Sequence, residues 1–212
     1  MASPLIGQQP AYWVTARRHL AREDAVLAAI IRAHPRVTMV RRGEPFFTLA
    51  RSIVGQQISV QAAATVWGRF ESAVNVVVPE NVLAVSPGAL QAAGLSRRKV
   101  EYIHDLARHF LSGEVRPKAW ADMDDESVIE QLTTVRGIGR WTAEMFLMFN
   151  LLRPDVLPLD DVGLQKAVAL HYFRGRRVTA RTIQRLAAKW APWRSVATWY
   201  LWRSLDPVPV EY

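Results

Sequence analysis

The chain has 212 residues, of which 50% are hydrophobic and 22% are charged, and it contains no cysteine. This composition excludes a disordered polypeptide, disulfide bonds, thiolate catalysis and cysteine-bound zinc or iron–sulfur centres. The formal net charge of +8 favours an acidic partner such as nucleic acid.

Helical periodicity dominates the chain from its beginning. Apolar residues recur at helical spacing over residues 12–35 and predict one long helix that ends before Pro35. The next predicted helix covers residues 45–55 and ends at Gly55, and Ser59 is the expected N-cap of its successor.

The same signals continue to the end of the chain. Further helices are predicted at residues 86–94, 96–113, 124–135, 141–152, 162–173, 179–190 and 192–205. About ten helices without an alternating strand pattern predict an all-α fold.

The stretch "LTTVRGIGRWTAEMF", residues 132–146, places two glycines inside a helical pattern. Each glycine in a helix interior costs about 1 kcal/mol relative to alanine. Gly137 and Gly139 allow backbone angles that other residues disfavour, and they let another backbone come close. The amides at the start of the following helix would then bind an anion such as a DNA phosphate. A tight turn without a ligand is the alternative.

Two other features concern charge. Residues 162–205 carry nine basic side chains and no acid, which predicts a positive surface. Asp160 and Asp161 stand directly before a predicted helix, where an aspartate is either an N-cap or a functional carboxylate.

The eight tryptophans are expected to be mostly core residues, and Trp67, Trp199 and Trp202 are assigned to the core. The five histidines are scattered without metal-ligand spacing.

Several motifs together resemble those of one family. They are "IVGQQIS", "AAGLSRRKVEYIHDLA", "RGIGRWTAEMF", "VLPLDDVGLQKAV" and "PWRSVATWYLWR". The chain resembles the helix-hairpin-helix (HhH-GPD) DNA glycosylases from about residue 12 onward, and within them the 3-methyladenine DNA glycosylase II branch of alkylation repair.

The resemblance implies a single all-α glycosylase unit, 1–212, in which two helical lobes enclose an active-site cleft. The central lobe would be residues 46–150, with the hairpin at about 128–146. The other lobe would combine residues 1–45 with 151–212. No N-terminal β domain is expected.

The resemblance also implies the reaction. A monofunctional glycosylase would excise alkylated purines from duplex DNA and leave an abasic site, with Asp161 as the catalytic carboxylate and Asp160 as its less critical neighbour. Bifunctional relatives carry a lysine where this chain has Trp141, so no Schiff base is expected. A glycosylase for another damaged base and a non-catalytic DNA-binding module remain alternatives.

Residue positions carry over from the family motifs. The base pocket would be lined by Trp141, Trp193, Phe46 and Met145. The DNA wedge would be Gln57, with Gln56 at the same exposed turn. The DNA phosphate would be bound by Gly137, Gly139 and Thr142. Well-known bacterial members carry tyrosines where this chain has Met145 and Val162, which leaves the lesion range open. An ordinary polar loop is the alternative for the two glutamines.

The remaining expectations concern ligands and location. The main-chain carbonyls of Thr133, Val135 and Ile138 match those that hold a Na⁺ or K⁺ ion in the family, and no other cofactor and no iron–sulfur cluster are expected. The expected partner is double-stranded DNA with alkylated bases, bound by a monomer. No membrane span and no secretory signal are recognised, so a cytoplasmic, nucleoid-associated protein or, in a eukaryote, a nuclear one is expected.

Overall fold

A computed structural model describes residues 9–36 and 38–205 of the chain. Among these residues all regular elements are helical, which confirms the predicted all-α class. The α-helices are α1 Trp13–Glu23, α2 Ala25–Ala33, α3 Pro45–Gly55, α4 Val60–Val74, α5 Pro79–Ala84, α6 Pro87–Ala92, α7 Arg97–Ser112, α8 Asp125–Thr133, α9 Arg140–Phe149, α10 Val162–Phe173, α11 Ala180–Ala187 and α12 Arg194–Leu205. Two short 3₁₀ segments are Pro117–Asp122 and Ala188–Trp190.

The described residues form two compact units. One combines residues up to 42 with residues 147–205, and the other comprises residues 43–146. We call them the first unit and the second unit. The lobe bounds expected from the sequence, 46–150 and 1–45 with 151–212, remain predictions. No helix in the described part of the chain is long and apolar enough to cross a membrane.

The first unit is built around α12, which packs against α1, α2 and α10. Trp13 of α1 is 1% exposed and lies edge-on to Trp199, with the ring centroids 5.2 Å apart. Tyr200 stacks on the same Trp13 ring at 5.6 Å. α12 is buried on most of its circumference and forms the centre of this unit.

The single helix predicted over residues 12–35 is in fact two helices, because Asp24 interrupts it. Its carboxylate caps α2 by accepting hydrogen bonds from the amides of Val26 and Leu27 at 2.9 and 3.2 Å. The prediction was wrong because the apolar pattern continues across the break.

Asp24 is also the centre of a buried polar cluster. Its Oδ2 accepts hydrogen bonds from the Tyr172 hydroxyl at 2.7 Å and the Trp190 indole at 2.8 Å, and it pairs with Lys189 at 3.1 Å. Burial alone would raise the pKa of Asp24, but the hydrogen bonds led by Trp190 and Tyr172 outweigh it, so that this pKa lies below its usual value. Asp24 therefore joins α2, α10 and the segment after α11.

The second unit is organised around α7, which packs against α3, α5 and α6. Trp67 of α4 is 5% exposed and contacts Phe47 and Phe70 through ring centroids 5.0 and 5.3 Å away. The sequence did not predict α5 or the 3₁₀ segment Pro117–Asp122, each of which is six residues long.

Candidate functional site

Asp161 stands at the start of α10 as its N-cap. Its Oδ1 accepts a hydrogen bond from the amide of Leu164 at 2.6 Å, so the capping interpretation of this residue is confirmed. The side chain lies at the positive end of the helix dipole and is 8% exposed.

Trp202 of α12 provides a second hydrogen bond to the same carboxylate oxygen. Its indole Nε1 donates to Asp161 Oδ1 at 2.7 Å. The assignment of Trp202 to the core is wrong, since the ring is half-buried and serves a polar partner. One signal was present in the sequence, because an indole N–H near the end of a buried helix needs an acceptor.

Phe149 contacts Trp202 directly, and Arg42 supports Phe149. Phe149 stacks on the Trp202 ring with the centroids 6.0 Å apart and an interplanar angle of 22°. The Arg42 guanidinium lies 4.2 Å from the Phe149 centroid, and the Arg42 amide donates to the Phe149 carbonyl at 2.9 Å. The orientation of the indole is therefore fixed from several directions.

Gly163 makes the contact between Trp202 and Asp161 possible. A Cβ at this position would lie 3.0 Å from Trp202 Cδ1 and 3.1 Å from Asp161 Oδ1. Such distances are tighter than ordinary carbon contacts, so a side chain here would push the indole or the carboxylate aside by a few tenths of an ångström. This glycine was not predicted as a site residue from the sequence.

Trp193, predicted for the base pocket, lies just before α12 and is half-buried. It stacks on Tyr12 with ring centroids 5.5 Å apart. Tyr12 is anchored by its hydroxyl, which donates to the Leu152 carbonyl at 2.7 Å, and burial raises its pKa. The indole thus has a rigid support within the first unit.

The two glycines of the hairpin, which connects α8 to α9, have different roles. Gly137 has φ +87°, and a Cβ there would lie 2.2 Å from the Tyr102 ring. Gly139 has no positive φ, and a Cβ there would meet nothing within 4 Å. Gly137 uses the left-handed backbone angles that glycine allows, whereas Gly139 leaves open space before α9.

Side chains on both sides brace the hairpin. Asp105 Oδ2 accepts a hydrogen bond from the Arg136 amide at 2.9 Å. Arg140 pairs with Glu126 of α8 and, at 3.2 Å, with Glu144 of its own helix. The hydrogen bond with Glu126 is the main reason why the pKa of Arg140 is raised. The turn is therefore held in one conformation before any ligand binds.

Gln56 and Gln57 were both predicted at an exposed wedge turn, and the structure separates them. Gln56 is half-buried, and its Nε2 donates to the Gly137 carbonyl at 2.9 Å. This bond ties the Gln56 amide to the hairpin, and a wedge role for Gln56 stays a prediction. Gln57 is exposed with φ 60°, so it projects from a left-handed turn.

Four other residues of the second unit that are predicted to contact DNA are more buried than Gln57. Phe46 is 6% exposed and lies edge-on to Phe110, Met145 is 8% exposed, and Thr142 is 9% exposed. Trp141, the first indole after the hairpin, is half-buried. Contacts of these four residues with DNA stay predictions.

The three predicted cation ligands, Thr133, Val135 and Ile138, lie in the hairpin within one stretch of six residues. The Val135 carbonyl accepts a hydrogen bond from the Ile138 amide at 3.1 Å, and it keeps a second lone pair. Neutral oxygens of this kind, together with the carbonyl of Thr133, suit a hard cation. No cluster of three or more His, Asp or Glu side chains that could hold a metal occurs in the described residues.

Comparison with known proteins gives the family. The profile of the HhH-GPD superfamily of base excision DNA repair proteins matches residues 50–192. The chain is 32% identical to DNA-3-methyladenine glycosylase 1 of Schizosaccharomyces pombe over 169 residues, 78% of this chain and 74% of the relative. It is 30% identical to a putative DNA-3-methyladenine glycosylase of Bacillus subtilis, over 85% of this chain and 66% of that protein.

Solved structures agree with these sequence matches. A DNA-3-methyladenine glycosidase from Bacillus halodurans superposes with a TM-score of 0.83 and 37% identity, covering 90% of this chain and 89% of its own. The 3-methyladenine DNA glycosylase of Schizosaccharomyces pombe, solved with abasic DNA, gives a TM-score of 0.77 and 30% identity over 92% of this chain and all of its own. On these matches the chain belongs to the HhH-GPD superfamily of base excision DNA repair proteins.

Proposed function

We propose that the protein is a monofunctional DNA glycosylase that excises alkylated purines of the 3-methyladenine and 7-methylguanine type from duplex DNA. It hydrolyses the N-glycosidic bond and leaves an abasic site. The observation that carries the proposal is the placement of Asp161, a carboxylate fixed at the start of α10 by Leu164 and Trp202 in a chain of this family.

The chemistry of the reaction suits one fixed carboxylate. Breaking the N-glycosidic bond builds positive charge on the sugar, and an alkylated purine that is already cationic leaves readily. A negative charge oriented beforehand stabilises that transition state, and it can also orient the attacking water. Asp161 supplies this charge, while Trp202 and Gly163 keep it in one orientation.

The damaged nucleotide must leave the base stack before it reacts. Gln57 is the wedge that fills the resulting gap, which agrees with its exposure at a left-handed turn. Trp141 and Trp193 offer indole faces to a cationic base, with Phe46 and Met145 as further walls.

The hairpin binds the DNA backbone without reading its sequence. The open space at Gly139 admits a phosphate to the start of α9. Gly137 and Thr142 contact the same phosphate. The carbonyls of Thr133, Val135 and Ile138 would hold a Na⁺ or K⁺ ion, which adds positive charge next to the phosphate.

Trp141 stands where a Schiff-base lysine would be required for strand cleavage. Borohydride treatment during turnover should therefore trap no covalent complex with DNA. The proposed enzyme acts as a monomer on double-stranded DNA, in the bacterial nucleoid or in a nucleus.

One observation favours a second candidate, a glycosylase for an oxidised or deaminated base. Val162, next to Asp161, has an apolar side chain that is 74% exposed, and Met145 also replaces a tyrosine of well-known members. A less aromatic pocket would favour cationic bases less strongly.

Base release decides between these candidates. The protein is incubated with methylated duplex DNA and, separately, with duplexes that contain oxidised or deaminated bases, and the released bases are identified by mass spectrometry. We expect 3-methyladenine and 7-methylguanine, with intact strands until the abasic sites are cleaved by alkali. Release of only an oxidised or deaminated base would support the second candidate, and no release from any duplex would overturn both.

A further inference from the structure

A cavity of about 610 Å³ lies in the first unit beyond the end of α10. Its wall includes three arginines of one short loop, Arg174, Arg176 and Arg177, together with Tyr172 and Thr179. We call these three residues the arginine cluster. None of the predicted site residues lines this cavity.

The loop that carries the arginine cluster has a defined backbone. Arg174 and Gly175 both have a positive φ, 54° and 79°, which reverses the chain at the end of α10. The Gly175 amide donates to the Ala169 carbonyl at 2.8 Å, and the Arg176 amide donates to the Phe173 carbonyl at 3.0 Å. The arginines therefore start from fixed positions, as in a C-cap of the Schellman type.

The cluster has no internal counter-charge. All three arginines are exposed, and none forms an ion pair with another residue that the structure describes. Arg194, by contrast, pairs with both carboxylate oxygens of Asp155 at 2.7 Å. Like charges that line one cavity repel each other, so an anion between the arginines would be stabilising.

The cavity is remote from the proposed chemistry. Asp161 starts α10 and Arg174 follows its end, and twelve helical residues span about 18 Å. A ligand in the cavity therefore does not contact the nucleotide at Asp161. At about 3.4 Å per base pair, 18 Å corresponds to about five base pairs of duplex.

We propose that the arginine cluster is a second site for DNA backbone phosphates, separate from the hairpin. This inference rests on the proposed function, because it takes DNA as the polyanion. Guanidinium groups match phosphate oxygens with paired hydrogen bonds, and such contacts carry no sequence information. The site raises affinity for any duplex and leaves the choice of base unchanged. The phosphates come either from the same duplex, about five base pairs from the lesion, or from a second duplex.

The salt dependence of binding tests the site. The variant R174Q/R176Q/R177Q is compared with wild type and with R18Q/R32Q/R36Q, which removes three exposed charges from elsewhere in the first unit. Each is titrated with an undamaged duplex of about 30 base pairs between about 50 and 200 mM salt. Thermal melts check that all three proteins are folded.

Each phosphate contact contributes about 0.9 to the slope of log K against log salt concentration. We expect the cluster variant to lose about two units of slope and the control variant to lose less than about half a unit. Equal slopes for the two variants would overturn the proposal.

A duplex of about eight base pairs with an abasic site at its centre separates the two sources of phosphate, since it extends only about four base pairs, or about 14 Å, to either side of Asp161. If the same duplex is bound, the difference between wild type and cluster variant disappears on the short duplex. If a second duplex is bound, the difference persists.

Base release by the cluster variant under saturating protein should equal that of wild type. Should wild type release no base, the proposed function fails, whereas the salt slopes still decide on the second site.

Discussion

The start of α10 and the start of α9 provide for negative charge in opposite ways. At α10 the charge belongs to the chain, because Asp161 caps the helix and is held by Leu164 and Trp202. At α9 the preceding residue is Gly139, which brings no side chain and leaves open space where a Cβ would point.

The difference suggests how one kind of backbone feature can serve two tasks. A helix start that already carries its own carboxylate offers a fixed charge to a reaction. A helix start preceded by glycine has room for an anion from outside, such as a phosphate. Substitutions at the two helix starts and at their neighbours separate these two roles.

The hairpin glycines should respond differently to alanine. Gly137→Ala should destabilise the protein by more than about 3 kcal/mol, because the new Cβ meets the Tyr102 ring in a backbone conformation with φ +87°. Gly139→Ala should leave the unfolding free energy within about 0.5 kcal/mol but weaken duplex binding about tenfold, since its methyl fills the phosphate approach. Urea unfolding and DNA titration measure the two effects. Unchanged affinity in Gly139→Ala would show that the start of α9 does not meet DNA.

Asp24 provides a comparison for Asp161 at the start of α10, because Asp24 also caps a helix and accepts a hydrogen bond from an indole N–H. Asp24→Asn should lower the unfolding free energy by about 2–3 kcal/mol, since it removes a buried charge from five partners. The rate of base release by the folded fraction should stay the same. A large loss of rate at unchanged stability would mean that the two aspartates do not differ as we propose.

The same residue predicts a pH dependence. The pKa of Asp24 in the folded state lies below its ordinary value of 3.8, so its carboxylate stabilises the fold at neutral pH. This stabilisation is lost as the pH falls from 3.8 towards the lower pKa of the folded state. The stability difference between wild type and Asp24→Asn should therefore shrink over that acidic range. A difference that grows on acidification would reverse the sign of the argument.

Trp202→Phe tests how the carboxylate of Asp161 is held. It removes the indole N–H while keeping a ring against Phe149, and the rate of base release should fall about 30-fold with DNA affinity within about threefold. The matched control is Trp199→Phe on the same helix, whose ring lies against Trp13 and Tyr200. Single-turnover kinetics should show a near wild-type rate for the control, and equal losses in both variants would mean that Trp202 is only a packing residue.

The two glutamines should show the smallest effects. Gln56→Ala removes a hydrogen bond to the hairpin and should cost about 1 kcal/mol of unfolding free energy. Gln57→Ala should leave stability within about 0.5 kcal/mol and slow base release severalfold, because the gap left by the extruded base is not filled. Fluorescence of a base analogue placed opposite the lesion reports the extrusion step. Equal behaviour of the two variants would remove the distinction between brace and wedge.

The sequence predicted helix ends well wherever local signals determine them. Both α3 and α10 have the predicted bounds, since Pro45 and Gly55 delimit the first and Asp161 caps the second. The break at Asp24 was missed because the apolar pattern continues across it, and the further partners of Asp24, Tyr172 and Trp190, are 148 and 166 residues away. Contacts over such distances leave no trace in a local pattern.

The candidate site shows the same limit. The position of Asp161 before a helix could be predicted, but its bond to Trp202 spans 41 residues and joins two helices. Two glycines in one motif look alike in sequence, and only φ and the Tyr102 ring distinguish Gly137 from Gly139. The commitment of Gln56 to the hairpin likewise depends on how α3 packs, which the sequence does not specify.

The most direct test of the account is Asp161→Asn, measured for base release and for duplex affinity in parallel. Asparagine keeps the shape of the side chain and can still cap α10 through its oxygen. We expect single-turnover release of 7-methylguanine to fall by at least about 10³-fold while the dissociation constant for duplex DNA changes by less than about threefold. Release at a rate near that of wild type would contradict the claim that this carboxylate carries the reaction.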